Sequence, residues 1–152
     1  MTVGSEPNAD KTLIVGGYAE KGAYGPTILL QLESLAAATW LRDLFLEVGK
    51  PGHTVDLAAD PRVQLSGVKQ LLLEADQGDG PLVQLRCTQR APNAVSFRWI
   101  GTSAGWGYQA DLMEPLTKGR AGHQYLTSEG RDDALIEVSL RERHTGLDSV
   151  QE

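Results

Sequence analysis

The chain has 152 residues, 41% hydrophobic and 22% charged, and its 14 Lys and Arg against 20 Asp and Glu leave a net charge of −6. A chain of this length buries roughly 70% of the surface its unfolded form exposes, so it supports one hydrophobic core, and its ordinary composition argues against wholesale disorder. The excess of acid disfavours a free-standing nucleic-acid binder, which needs clustered Lys and Arg. The longest apolar stretch, near Leu35 to Val48, is broken by Arg42, Asp43 and Glu47 and cannot span a bilayer.

Residues 1–10 read as a flexible leader without the basic start and apolar run of a signal peptide, and residues 144–152 read as a flexible tail. Between them, residues 11–143 carry no linker and no internal repeat, so a single domain is expected. Cys87 is the only cysteine, which rules out an intrachain disulfide and suits a reducing, cytoplasmic setting.

The first ordered segment, Thr12 to Ala19, reads as a strand that ends in a turn, and Gly22, Gly25 and Pro26 mark a loop. Thr27 to Glu33 is β-branched and aliphatic, fit for a second strand or for the lead-in to a helix. Ser34 can then cap a helix whose apolar stripe is Ala37, Trp40, Leu41, Leu44, Phe45 and Val48, stopped by Gly49 and Pro51.

From His53 the period changes to two. Val55 and Leu57 alternate with Thr54 and Asp56, and after a turn at Asp60-Pro61 Leu71 and Leu73 alternate with Gln70, Leu72 and Glu74. Gln77 to Pro81 is a turn, followed by Val83, Leu85 and Cys87 on one face of a strand. Ala91-Pro92-Asn93 is another turn, followed by Val95, Phe97 and Trp99 on one face. Consecutive hairpin-linked strands with one apolar face predict an antiparallel meander.

Ser103 can cap a second helix reaching Met113, weakened by Gly105 and Gly107 and ended by Pro115. A final hairpin joins Gly122–Thr127 to Ala134–Arg141. The expected class is α+β: a mainly antiparallel sheet, meander plus C-terminal hairpin, with two helices on one face.

Candidate functional residues are few. His53, His123 and His144 lack partners at metal-ligand spacing, so no metal or other cofactor is expected. His123 and Tyr125 share one face of a strand, where a half-buried packing role competes with that of a contact residue or catalytic base. Neither a nucleophile elbow nor a phosphate loop is present, although Gly101 to Gly107 is rich in glycine. Trp106 and Tyr108 diverge by about 200° on a helix, so at least one lies near the surface and can anchor a partner. Asp76 and Asp79 flank one predicted turn, with Glu74 nearby, and Glu129, Asp132 and Asp133 flank another. These acids are either solubilising loop tips or, if both turns share one end of the sheet, an acidic patch for a basic partner.

The order of elements resembles the small α+β immunity proteins of bacterial polymorphic-toxin and contact-dependent competition systems. The residues that carry the resemblance are the Phe97-Arg98-Trp99 strand, the Trp106 segment, Gly122-His123-Gln124-Tyr125-Leu126, and the run from Asp132 to Ser139. It is strongest over residues 95–142, and the more basic run Ser139 to Arg143 departs from an acidic blocker. The resemblance implies a non-enzymatic protein that binds and blocks a cognate protein toxin, such as a basic nuclease, through direct contact. Asp76, Asp79, Trp106, Tyr108, His123, Tyr125, Glu129, Asp132 and Asp133 are the candidate contacts. Two other readings stay open: a small hydrolase or small-ligand-binding domain using His123 near the Trp106-Tyr108 segment, and a homodimer formed through a sheet edge.

Overall fold

Ser34 caps the first helix as its hydroxyl predicts, accepting the Ala37 N–H at 3.2 Å. That helix, α1, spans Leu35–Val48 and buries Ala37, Leu41, Phe45 and Val48. It is the frame on which the rest of the computed structural model is built, which describes residues 12–120, 122–128 and 131–140.

Before α1 come β1 (Ile14–Gly22) and β2 (Gly25–Leu32), an antiparallel pair. After it come β3 (Val55–Asp56), β4 (Val63–Ser66), β5 (Val68–Ala75), β6 (Val83–Ala91) and β7 (Ala94–Gly101). Then follow α2 (Ser103–Leu112), the short α3 (Glu114–Thr117), β8 (His123–Tyr125) and β9 (Leu135–Leu140). The class is α+β, as the sequence predicts, but the strands form two open sheets, ordered β4-β1-β2-β9-β8 and β3-β5-β7-β6.

The expected meander is not formed. β7 lies between β5 and β6, parallel to β5 and antiparallel to β6, so the consecutive strands β5 and β6 do not pair. Apolar alternation decides which face of a strand is buried and is silent about which neighbour it pairs with. The β8–β9 hairpin pairs antiparallel as expected, and β9 joins its sheet by running parallel to β2.

β4 was not foreseen. It runs parallel to β1, while β5, one residue further on, belongs to the other sheet. Gly67 makes the change of direction at φ +78°, a conformation that glycine adopts without steric cost. The predicted strand through Leu57 stops at Asp56, whose carboxylate accepts the N–H groups of Ala58 and Leu71 at 3.1 and 3.0 Å. That side-chain competition with the ladder turns Leu57–Ala59 into a 3-10 turn.

Inward residues of both sheets meet the helices. Ile28, Leu30, Leu32, Leu71, Leu73 and Ile136 are fully buried. Each such side chain contributes about 1.5–3 kcal/mol of transfer free energy. α1 touches β2 of one sheet and β5 of the other and packs most heavily on α2. Phe45, Trp99 and Trp106 form a mutual cluster, with ring centroids 5.1–5.5 Å apart.

α2 begins one residue from the predicted cap: the Thr102 hydroxyl, not that of Ser103, accepts the Gly105 N–H at 2.9 Å. Pro115 does not end the helical region but sits in the first turn of α3, where a missing N–H costs nothing. No helix of the described residues is long and apolar enough to cross a membrane.

Candidate protein-binding surface

Alternation along the five-stranded sheet buries Ile28, Leu30, Ile136 and Val138. The same alternation turns Leu29, Gln31, Glu137 and Ser139 to the opposite face, together with His123 and Tyr125 of β8, which pair with Ser139 and Glu137. A cleft of about 370 Å³ crosses this face, lined in part by Gly17, Ala19, Tyr24, Leu29, Tyr125 and Glu137. A second, shallower one of about 310 Å³ is lined by Tyr24, Tyr125, Thr127 and Leu135.

Tyr24, at the tip of the β1–β2 hairpin, meets Tyr125 edge-on with ring centroids 6.5 Å apart. The Tyr125 ring also stands against His123 at 5.4 Å. His123 Nδ1 lies 3.8 Å from Glu137 Oε2, an ion-pair distance too long for a direct hydrogen bond. Desolvation, then the nearby Glu137 charge, raises the Tyr125 phenol above its ordinary value, so it stays protonated.

Thr127 also lines a third cleft. This one, of about 110 Å³, is lined in part by Pro81, Val83, Tyr108, Gln109, Thr127 and Asp132. Three tyrosines therefore flank one short segment, and all are open to solvent: Tyr24 by 60%, Tyr108 by 55% and Tyr125 by 39%. Phenols of this kind offer a broad apolar face and a hydrogen-bonding tip at little entropic cost.

The expected contact residues separate into groups. His123 and Tyr125 stand together on β8, and Tyr108 and Asp132 line the third cleft, which meets the second at Thr127. Trp106 does neither: it is fully buried, and its Nε1–H donates to the Glu74 carbonyl at 2.9 Å. The divergence of Trp106 and Tyr108 is as the helix repeat predicts. Trp106 packs onto Phe45 and Trp99, away from His123, which sits with Tyr125 and Glu137.

Asp132 and Asp133 bind backbone. Asp132 accepts the N–H groups of Leu85 and Ser128 at 2.8 and 2.7 Å, and Asp133 accepts that of Cys87 at 2.7 Å. Asp76 accepts the adjacent Gln77 N–H and lines a different cleft, with Gly49, Gly52 and Ser103. Asp79 is exposed on its turn, and Glu129 lies outside the described residues. Pro81 of the first acidic turn and Asp132 of the second line the same cleft.

Tyr24 was missed. In the sequence it is one aromatic residue in a glycine-rich loop, and only the β2–β9 pairing brings that loop's tip to β8. Among the described residues, no group of three or more His, Cys, Asp or Glu is placed to hold a metal ion. Comparison with protein-family models, curated proteins and solved structures finds no match to this chain.

Proposed function

We propose that this chain is an immunity-type inhibitor that neutralises a bacterial toxin by direct protein–protein binding, docking it on the tyrosine surface around residues 125–128. The observation that carries this reading is the convergence of Tyr24, Tyr108 and Tyr125 on the clefts that share Thr127. Exposed aromatic side chains beside clefts are the usual anchors of protein interfaces, where a few residues supply most of the affinity. The resemblance over residues 95–142 points to the same role, and the net charge of −6 favours fast capture of a basic toxin, an advantage that added salt weakens.

Co-expression with the toxin encoded beside the gene tests it. The wild-type chain should restore growth and bind the toxin in solution. Combining Tyr24→Ala with Tyr125→Ala should weaken binding by on the order of 100-fold, mainly through faster dissociation. Protection and affinity unchanged in the double variant would overturn the assignment of this surface, and failure of the wild-type chain to bind or protect would overturn the inhibitor reading.

A further inference from the structure

We infer that the groove between Tyr18 and the β6–β7 hairpin is a binding site for a carboxylate with an apolar body. The groove holds about 530 Å³ and is lined by Tyr18, Glu20, Gly67, Arg90, Ala91, Pro92, Asn93 and Val95. It lies between β1 of one sheet and the hairpin of the other, apart from the tyrosine surface, and does not depend on the inhibitor reading.

Arg90 is what sets this groove apart. Arg42, Arg62 and Arg98 each donate directly to a carboxylate, at 3.1, 3.0 and 2.6 Å. Arg90 instead donates from Nη1 to the Tyr18 hydroxyl at 3.0 Å, and its recorded carboxylate partner, Glu20, is 3.8 Å away. The other N–H groups of the guanidinium fork make no recorded hydrogen bond among the described residues, and its side chain is 49% exposed. The hydrogen bond to Tyr18 and the neighbouring Cys87 favour the charged form of Arg90.

Tyr18 completes the donor pair. Its oxygen accepts from Arg90, which leaves the phenol O–H free to donate to a ligand oxygen beside the guanidinium. The phenol is held in place by its ring, which packs on the buried Phe97 at 5.6 Å between centroids. A guanidinium and a phenol O–H side by side match the planar acceptor set of a carboxylate.

The floor and rim choose among anions. Ala91, Pro92 and Val95 offer apolar contact to the body of the ligand. Glu20 and the net charge of −6 oppose a doubly charged phosphate more strongly than a singly charged carboxylate. The expected ligand is therefore an apolar monocarboxylate, either a free acid or the C-terminus of a peptide.

Amide-resolved NMR titration of the full chain tests the site, with benzoate, its uncharged analogue benzamide, inorganic phosphate and an N-acetylated dipeptide as probes. Benzoate or the dipeptide should give saturable shifts at Tyr18, Arg90 and Asn93, and the lower Kd identifies the source of the carboxylate. Arg90→Gln should weaken this binding by about 10-fold or more, Tyr18→Phe should weaken it less, and Glu20→Gln should tighten it. A native-like spectrum of each variant separates loss of the site from loss of the fold. The site is refuted if neither carboxylate saturates by about 50 mM, if benzamide binds as well as benzoate, or if Arg90→Gln leaves the Kd unchanged. Phosphate binding as tightly as benzoate would overturn the carboxylate assignment.

Discussion

The Asp132 carboxylate accepts the Leu85 N–H at 2.8 Å across 47 positions of sequence, joining the segment before β9 to the outer edge of β6. Asp133 adds to the same seam: its carboxylate accepts the Cys87 N–H, and its own N–H donates to the Leu85 carbonyl at 3.0 Å. An edge strand with unpaired backbone groups invites pairing with other chains, and here two acids occupy that edge.

Asp132→Ala should therefore destabilise the fold by about 2 kcal/mol, since two backbone donors lose a charged acceptor. Asp132→Asn, which keeps one carbonyl acceptor, should cost less. Urea midpoints at constant slope measure both. A midpoint unchanged in the alanine variant would show that water replaces the carboxylate freely. Charge reversal at Asp132 would disturb the fold as well as any interface, so the tyrosines give the cleaner docking test.

Two glycines of α2 should respond in opposite directions. A Cβ on Gly105 would lie 2.3 Å from the Leu82 carbonyl oxygen, a backbone atom that cannot step aside without moving β6. Gly105→Ala should destabilise by roughly 2 kcal/mol or more. A Cβ on Gly107 meets nothing within 4 Å, so Gly107→Ala should stabilise by about 0.5–1 kcal/mol through helix propensity. Thermal melts of the two variants on opposite sides of wild type would bear this out; a shared direction would contradict it.

Trp106→Phe removes the N–H that the Glu74 carbonyl accepts and leaves space beside Phe45 and Trp99. The expected cost is about 2–3 kcal/mol, rising to about 3–5 for Trp106→Ala. Denaturation monitored by circular dichroism avoids the change in intrinsic fluorescence. A cost below about 0.5 kcal/mol would mean that neither the cavity nor the lost bond is felt.

Asp60 supplies an acid-sensitive increment. Burial pushes its pKa up, but the side-chain and backbone hydrogen bonds from Arg62, with the Arg62 charge, hold it below its ordinary value. A depressed folded pKa contributes stability above the unfolded value, and that contribution is lost as pH falls through the folded value. With Arg62 partly exposed, the screened increment is about 1 kcal/mol or less. Wild type should lose more stability than Asp60→Asn between neutral pH and about pH 2, with the two curves converging at the acid end. Parallel curves would remove Asp60 from the account.

The Arg62 guanidinium also lies 4.9 Å from the Trp40 ring centroid, joining the Asp60 turn to α1. Neither contact has a sequence signature beyond the residue types themselves.

Local chemistry in the sequence was enough for α1, with its Ser34 cap and apolar stripe, for the strands on either side of the Pro92-Asn93 turn, and for the divergence of Trp106 and Tyr108, though not for which of the two is buried. Each follows from spacing within one element, which fixes what faces the core. Pairing between elements is a different matter, because a strand's alternation is satisfied equally well by several neighbours. Only the tertiary structure decided that β7 separates β5 from β6, that Gly67 carries the chain from one sheet to the other, and that β9 lies beside β2. Those three choices bring Tyr24 to Tyr125, set Asp132 on Leu85 and open the groove between Tyr18 and Arg90. The −6 charge belongs to the sequence alone; where its acids act depends on contacts between residues distant in the chain, whose free energy exists only once the sheets have formed.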